Sequence, residues 1–310
     1  MKLLIGYDGS QCADAAIADL RRAGLPEDIE AQVIAVAEVW LPPPDPDEVG
    51  KGSGREQGRV DEIIQRMSAK AKRAVQEAEN IALRGRSRVS ALFPKWKVSE
   101  IVSYGSPAWE IVFTADKWQP DLAVVGSHGY SALGRFVLGS VSQVVLTEAP
   151  CSVRVARGRV EEPDTPVRIV VGLDGSAGSD AVVSEVAQRF WPPNSQIKVI
   201  VVDDPGGVNF AGEEIPSGED ESEADHAWAE TILAKNAEIL SRVRDIEVIS
   251  ELIEGNPKTE LLRAAEEWNA DCIFVGSSGY SNATDRFILG SVSAAVASRA
   301  HCSVEVVRKK

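Results

Sequence analysis

Little in this chain of 310 residues suits a metal site or a disulfide scaffold. Its four cysteines, Cys12, Cys151, Cys272 and Cys302, form no CxxC pair, and its three histidines, His128, His226 and His301, are far apart. That spacing argues against a structural zinc and a disulfide framework. Long apolar runs are missing as well: stretches such as Val199 to Val202 fall far short of the ~18 residues a membrane-spanning helix needs. Asp8 arrives too early in the N-terminal segment for a signal peptide, so the expected compartment is the cytoplasm. Positive charge is also scarce, with 33 Lys and Arg against 47 Asp and Glu. Nucleic acid and anionic membranes both require clustered cations, and neither is expected as the main partner. Finally, no G-x-x-x-x-G-K-[ST] loop and no Ser-His-Asp arrangement can be placed, so no catalytic residue is assigned.

The length is about twice that of an average domain. Hydrophobic residues make up 44% and charged residues 26%, an ordinary globular composition. The net charge of -14 is uneven: residues 1–157 carry 19 basic and 20 acidic groups, the remainder 14 and 27. The chain also repeats itself. Leu4-Ile5-Gly6-Tyr7-Asp8-Gly9-Ser10 returns as Val170-Val171-Gly172-Leu173-Asp174-Gly175-Ser176, and Gly105-Ser106-Pro107 returns as Gly255-Asn256-Pro257. Asp121 to Ser131 matches Asp271 to Ser281, and Arg135 to Ser142 matches Arg286 to Ser293. Both repeats finish on Cys-Ser-Val. Two domains are therefore expected, residues 1–157 and 167–310, with a linker over 158–166.

Repeat 1 carries 16 extra residues, because Asp8 and Asp174 are 166 apart while Gly126 and Gly276 are 150 apart. The insertion is assigned to 41–60, where four prolines and four glycines argue for a mobile loop. The counterpart at 203–225, with seven carboxylates from Glu213 to Asp225, is read the same way. Elsewhere short apolar runs alternate with helical periodicity, the pattern of a parallel sheet with crossover helices. Strands are expected at 2–7, 32–39, 98–104, 122–125 and 151–155, with a long helix over 61–83. Each repeat then makes an α/β, Rossmann-like, doubly wound domain with a five-stranded parallel sheet. Trp109, Trp118 and Trp268 fall on or beside helix faces and are expected in the core, as are Cys151 and Cys302.

Ligands in such a sheet bind beyond the carboxyl ends of the strands, at the switch in strand order. There the chain reads Gly126-x2-Gly129-x9-Gly139-Ser140, and the same residues recur at Gly276, Gly279, Gly290 and Ser291. Gly126 and Gly129 leave the fourth strand, where a missing side chain lets a ligand approach the backbone. Gly139-Ser140 opens a helix whose free N–H groups and dipole favour an anion. This is a phosphate cradle without a lysine; the competing reading is tight turns and a helix cap. Asp8 and Asp174 also carry two readings, a hydrogen bond to a ribose hydroxyl or adenine edge, or an N-cap.

With Asp-Gly-Ser, Gly-x-Pro, the glycine motif and Cys-Ser-Val all in place twice, the sequence resembles the universal stress protein family in a tandem arrangement. The resemblance implies ATP binding, with Mg2+ accompanying the nucleotide. It places Asp8 and Asp174 at the adenosine. Val125, Gly126, His128 and Gly129, with Val275, Gly276, Ser278 and Gly279, would line the ribose and phosphates. Gly139, Ser140 and Val141, and likewise Gly290, Ser291 and Val292, would hold the terminal phosphates. Adenine would be read by backbone near Glu38 and Val202. Ser278 in place of His128 implies that the two sites differ. The family also implies that the last strands pair, so Cys151–Val155 would meet Cys302–Val306 as an intrachain pseudo-dimer.

The leading expectation is an ATP-binding, stress-responsive signalling module with a protein partner, in which occupancy orders the loops at 41–60 and 203–225. The alternatives are a slow ATPase or self-phosphorylating protein, with Ser140 or Ser291 as acceptor, and a nucleotide-free scaffold. A flavodoxin-like electron carrier is the remote fourth. Homodimers of the tandem chain are allowed but not encoded in any motif.

Overall fold

The computed structural model describes residues 1–39, 54–128, 138–157, 165–204, 219–277 and 289–309, with the side chains of 69–128 and 226–277 included in those spans. Ten strands form one sheet: β1 (Lys2–Gly6), β2 (Glu30–Ala37), β3 (Lys97–Tyr104), β4 (Leu122–Gly126), β5 (Ser152–Ala156), β6 (Arg168–Leu173), β7 (Ser195–Asp203), β8 (Ile246–Glu254), β9 (Cys272–Gly276) and β10 (Ser303–Val307). Their order is β3-β2-β1-β4-β5-β10-β9-β6-β7-β8. All neighbours are parallel except β5 and β10, which pair antiparallel with Val155 opposite Val304, Arg154 opposite Glu305 and Val153 opposite Val306. The two halves of the chain thus meet through their last strands, as the resemblance implies. The central strands β1 and β4 bury Leu3, Leu4, Ile5, Ala123 and Val124 completely, as two-sided coverage demands.

Helices cover both faces: α1 (Gln11–Asp19), α2 (Gly54–Leu92), α3 (Pro107–Trp118), α4 (Ser140–Glu148), α5 (Ala177–Ala187), α6 (Glu219–Leu240), α7 (Pro257–Glu267) and α8 (Ser291–Arg299). Under α3, α4, α7 and α8 one apolar core runs without interruption from Leu4 and Val145 to Ile200 and Val296. On the opposite face the core is split, one part around Leu3, Ile17 and Val33 and the other around Val171, Val183 and Phe274. What separates them is ionic. Strand alternation turns Val153, Val155, Val304 and Val306 toward the continuous core, and Arg154 and Glu305 lie between the split ones.

Three sequence expectations are corrected here. The stretch 41–60 is not wholly loop, because α2 already begins at Gly54; 41–53 lies outside the described residues. Five of the carboxylates read as a loop, Glu219, Asp220, Glu221, Glu223 and Asp225, instead belong to α6, and the first three lie in its first turn, where the positive end of the helix dipole favours acidic residues. α2 also runs past the expected end at Leu83. Gly85 resembles a stop, yet a Cβ there would come within 2.6 Å of Tyr7 and 2.8 Å of Val33, so this glycine lets α2 press against β1 and β2.

Candidate functional site

The order of strands reverses between β1 and β4, and in the second half between β6 and β9, so the candidate sites lie beyond the carboxyl ends of those pairs. There the helices differ in how they begin. α1 and α5 are capped by side chains: Ser10 Oγ accepts from Ala13 N–H at 3.1 Å and Ser176 Oγ from Ser179 N–H at 3.3 Å. These serines are the N-caps, not Asp8 and Asp174, which removes the capping reading for both aspartates. α4 and α8 have glycine caps, Gly139 and Gly290, with no side chain to offer. The first internal bond of α4 runs from Gln143 N–H to the Gly139 carbonyl at 2.9 Å, and that of α8 from Ala294 N–H to Gly290 at 2.9 Å. The amides of Ser140 and Val141, and of Ser291 and Val292, therefore have no acceptor within their helices. Ser140 and Ser291 are exposed, whereas Val141 and Val292 are half-buried.

Both uncapped ends are fastened to the neighbouring strand in the same way. Gly139 N–H donates to Ser127 O at 2.8 Å and Ser142 Oγ to Gly126 O at 2.6 Å. In the second half Gly290 N–H donates to Ser277 O at 2.6 Å and Ser293 Oγ to Gly276 O at 2.5 Å. Ser142 and Ser293 were not singled out in the sequence, although both stand in the matching Gly-Ser-Val-Ser. Val125 and Val275 are buried beneath these turns. Gly126 and Gly276 also meet a packing demand: a Cβ on Gly126 would lie 3.3 Å from the Cys12 backbone, and one on Gly276 3.1 Å from Gly178, so these positions admit α1 and α5. The two motif copies also differ in length, since ten residues separate Gly279 from Gly290 where nine separate Gly129 from Gly139.

Asp8 and Asp174 stand just beyond β1 and β6, and each accepts a hydrogen bond from the amide two residues on, Ser10 at 2.9 Å and Ser176 at 3.0 Å. Asp8 is exposed. Asp174 is half-buried, and its Oδ1 also accepts from Ser179 Oγ at 2.6 Å, a contact that Ala13 at the matching position of the first half has no group to make. His128 Nδ1 lies 2.8 Å from Ser127 Oγ. Glu38 is exposed just past β2, while Val202 is buried inside β7. These two are not counterparts: Gly105 N–H donates to Ala37 O and Gly255 N–H to Asp203 O, which pairs Glu38 with Asp204 and Val202 with Val36. Gly129, Ser278 and Gly279, with Arg135 and Arg286, lie outside the described residues.

Residues from α2 and α6 complete the surroundings, and the repeat pattern gave no sign of them because these helices do not align. Arg84 NH2 donates to Gly9 O at 3.1 Å and sits 5.9 Å from the Tyr7 ring. Burial, then the bond from Tyr7 Oη to Asp14 at 2.6 Å, raises the Tyr7 pKa. In the second half the Trp228 indole occupies the space beside Gly175, where an added Cβ would meet it at 2.5 Å. His226 Nδ1 lies 3.5 Å from Asp203 at the end of β7. Among the described residues no three carboxylate, His or Cys side chains converge on a metal position, and no helix is long and apolar enough to cross a membrane.

Among the tryptophans, Trp118 and Trp268 pack against the continuous core as expected. Trp109 does not: it is 44% exposed on α3. Cys151 and Cys302 are buried.

Comparison with known proteins agrees with this architecture. A profile of the universal stress protein family matches residues 1–157 and again 167–308. A universal stress protein of Mycobacterium tuberculosis strain H37Rv is 27% identical over 320 residues, spanning 99% of this chain and 97% of its own. One from Mycolicibacterium smegmatis is 31% identical over 191 residues, which is 61% of this chain and 62% of the relative. Among solved structures, a universal stress protein from Archaeoglobus fulgidus superposes with a TM-score of 0.59 at 22% identity, covering 99% of this chain and 96% of that one. With both halves matched, the chain belongs to the universal stress protein family as a tandem member.

Proposed function

We propose that this chain is an adenine-nucleotide-binding stress-response module of the cytoplasm, with one ATP site in each of two domains, 1–157 and 167–310, joined by 158–166. The observation that carries the reading is the pair of glycine-capped helix starts, each tied to the end of its strand by two matched hydrogen bonds. A helix start without a side-chain cap offers oriented N–H donors and a positive dipole end to an anion. The phosphates would sit at Gly139, Ser140 and Val141, and at Gly290, Ser291 and Val292. Asp8 and Asp174, on the neighbouring strand ends, suit a ribose hydroxyl or an adenine edge. Mg2+, in this reading, is held chiefly by the phosphates, in keeping with that ion's habit of retaining water and taking few protein ligands.

Occupancy would then change the surface this chain offers to a protein partner. Titration of the full chain with Mg-ATP by calorimetry is the test, and about two nucleotides per chain are expected. Ser140→Asp together with Ser291→Asp places a carboxylate where each phosphate would bind, and is expected to abolish the heat. No heat from the unaltered chain would sink the proposal and favour a nucleotide-free scaffold. Mass measurement after long incubation with ATP separates binding from self-phosphorylation, since Ser140 and Ser291 are both exposed.

A further inference from the structure

The two halves differ sharply at one place beside the third helix of each half. In the first half, Tyr104 at the end of β3 and Trp109 and Phe113 on α3 are 57%, 44% and 52% exposed. The rings of Trp109 and Phe113 lie 6.0 Å apart, tilted by 31°. With Val39 and Glu110 they line an open groove of about 640 Å³, a size in the range of small-molecule sites. At the matching positions of β8 and α7 stand Glu254, Thr259 and Arg263. The same helix therefore folds in the second half without these aromatics, and their exposure in the first has no structural demand behind it.

Glu110 has its own counterpart in Glu260, and the pair shows what the groove would take. In the second half the guanidinium of Arg263 donates to Glu260 through Nε at 2.8 Å and NH2 at 2.6 Å. In the first half Phe113 stands where Arg263 would be. Glu110 accepts from the Ser103 hydroxyl, and among the described residues no cation pairs with it. Lys117 lies two helical turns further on, about 10 Å along the axis. The first half thus keeps the carboxylate, lacks the internal guanidinium, and lines the same groove with aromatic side chains. Aromatic rings attract cations, and a planar guanidinium both stacks on rings and forks onto a carboxylate.

We propose that this groove binds a small guanidinium compound, whose cationic head pairs with Glu110 and stacks against Trp109 and Phe113 in place of the arginine the second half supplies itself. The test is titration of the full-length, 15N-labelled chain with L-argininamide, following the Trp109 indole signal assigned through Trp109→Phe. L-citrullinamide, which keeps the shape and the α-ammonium but replaces guanidinium by urea, is the control. A saturable shift is expected with argininamide, and binding at least about tenfold weaker with citrullinamide. Phe113→Arg, which copies the second half, and Glu110→Gln are each expected to weaken argininamide by about tenfold or more. Their unfolding midpoints should stay unchanged, and Glu110→Gln decides the matter if Phe113→Arg fails to fold. Equal binding of the two amides, no saturable shift, or full binding by Glu110→Gln would overturn the proposal.

Discussion

Arg154 and Glu305 face each other across the only antiparallel junction of the sheet, with Arg154 NH1 3.2 Å from Glu305 Oε2 and both side chains buried. They occupy equivalent positions of the two repeats, one after Cys-Ser-Val in each. A network spreads from them: Arg154 Nε donates to Asp19 at 2.7 Å, Ser303 Oγ donates to Asp19 at 2.8 Å, and Arg189 donates to Glu305. Burial works against the charge on Arg154, but Asp19 beside it, with Cys272 and Glu305, outweighs that and raises its pKa. Pairing two copies of the first half through β5 would set Arg154 against Arg154, so the charge pattern favours joining unlike halves. Arg157 and Arg308 are symmetric by contrast: Arg157 donates to Ala297 O at 2.6 Å and Arg308 to Leu146 O at 2.7 Å, each closing a helix end of the other half.

Arg154→Met leaves Asp19 and Glu305 buried with less compensation, and is expected to destabilise the chain by about 3–5 kcal/mol in urea unfolding. The exchange Arg154→Glu with Glu305→Arg should recover little of it. It would set the new glutamate beside Asp19 and the new arginine beside Arg189, so most of the loss should persist in the double variant.

Asp8→Asn retains an acceptor for the Ser10 amide but removes the charge. It is expected to lower Mg-ATP affinity of the first site by about tenfold, about 1.4 kcal/mol, with little change in unfolding. Ser179→Ala copies Ala13 and releases two bonds with Asp174, the one its hydroxyl donates to the carboxylate and the one it accepts from the Asp174 N–H at 2.9 Å, at a stability loss of about 1–2 kcal/mol. Calorimetry resolving two classes of site, beside urea unfolding of each variant, checks both.

Gly276→Ala is expected to cost more than Gly126→Ala, because its Cβ approaches backbone at 3.1 rather than 3.3 Å. Both should fall within about 1–3 kcal/mol, the range for forcing packed elements apart. Each change pushes α1 or α5 away from the strand end, so nucleotide binding should weaken in the altered half alone.

Thiol chemistry offers a fourth check. Cys151, Cys272 and Cys302 are buried and Cys12 is half-buried, so a thiol reagent should label one cysteine in the folded chain and four after unfolding. Burial pushes the Cys151 thiol up to about 11 from 9.0, and raises Cys272 as well. With the folded pKa raised, the unfolded chain releases its proton first. The stability present below pH 9 is therefore expected to fall as pH rises from about 9 to 11, and Cys151→Ala should reduce that slope.

Much of the fold was legible before any coordinates. The five strands of the first half were placed to within two residues, because apolar runs with turn residues between them are local signals. Where local signals misled, a neighbour distant in the chain had intervened. Gly85 resembles a helix end but serves contact with Tyr7 and Val33, and Trp109 looked like a core residue although the core beneath α3 was already filled by Ile111, Val112 and Ala115. In the candidate site the glycine cap of α4 could be read from Gly139-Ser140, but the role of Gly126 could not, since the backbone it admits lies more than a hundred residues earlier.

By itself, then, the amino-acid sequence determined the repeat, the alternation of strand and helix, and the two glycine-capped helix starts, all of which depend on residues close together in the chain. Tertiary structure alone decided which charges meet. Arg154, Asp19, Arg189 and Glu305 come from four segments far apart in the chain, β5, α1, the turn after α5 and β10, and only the pairing of β5 with β10 brings them into one buried network. It likewise left Glu110 among exposed aromatics while Glu260 found Arg263, because the fate of a charged side chain depends on which partners the packing delivers to it.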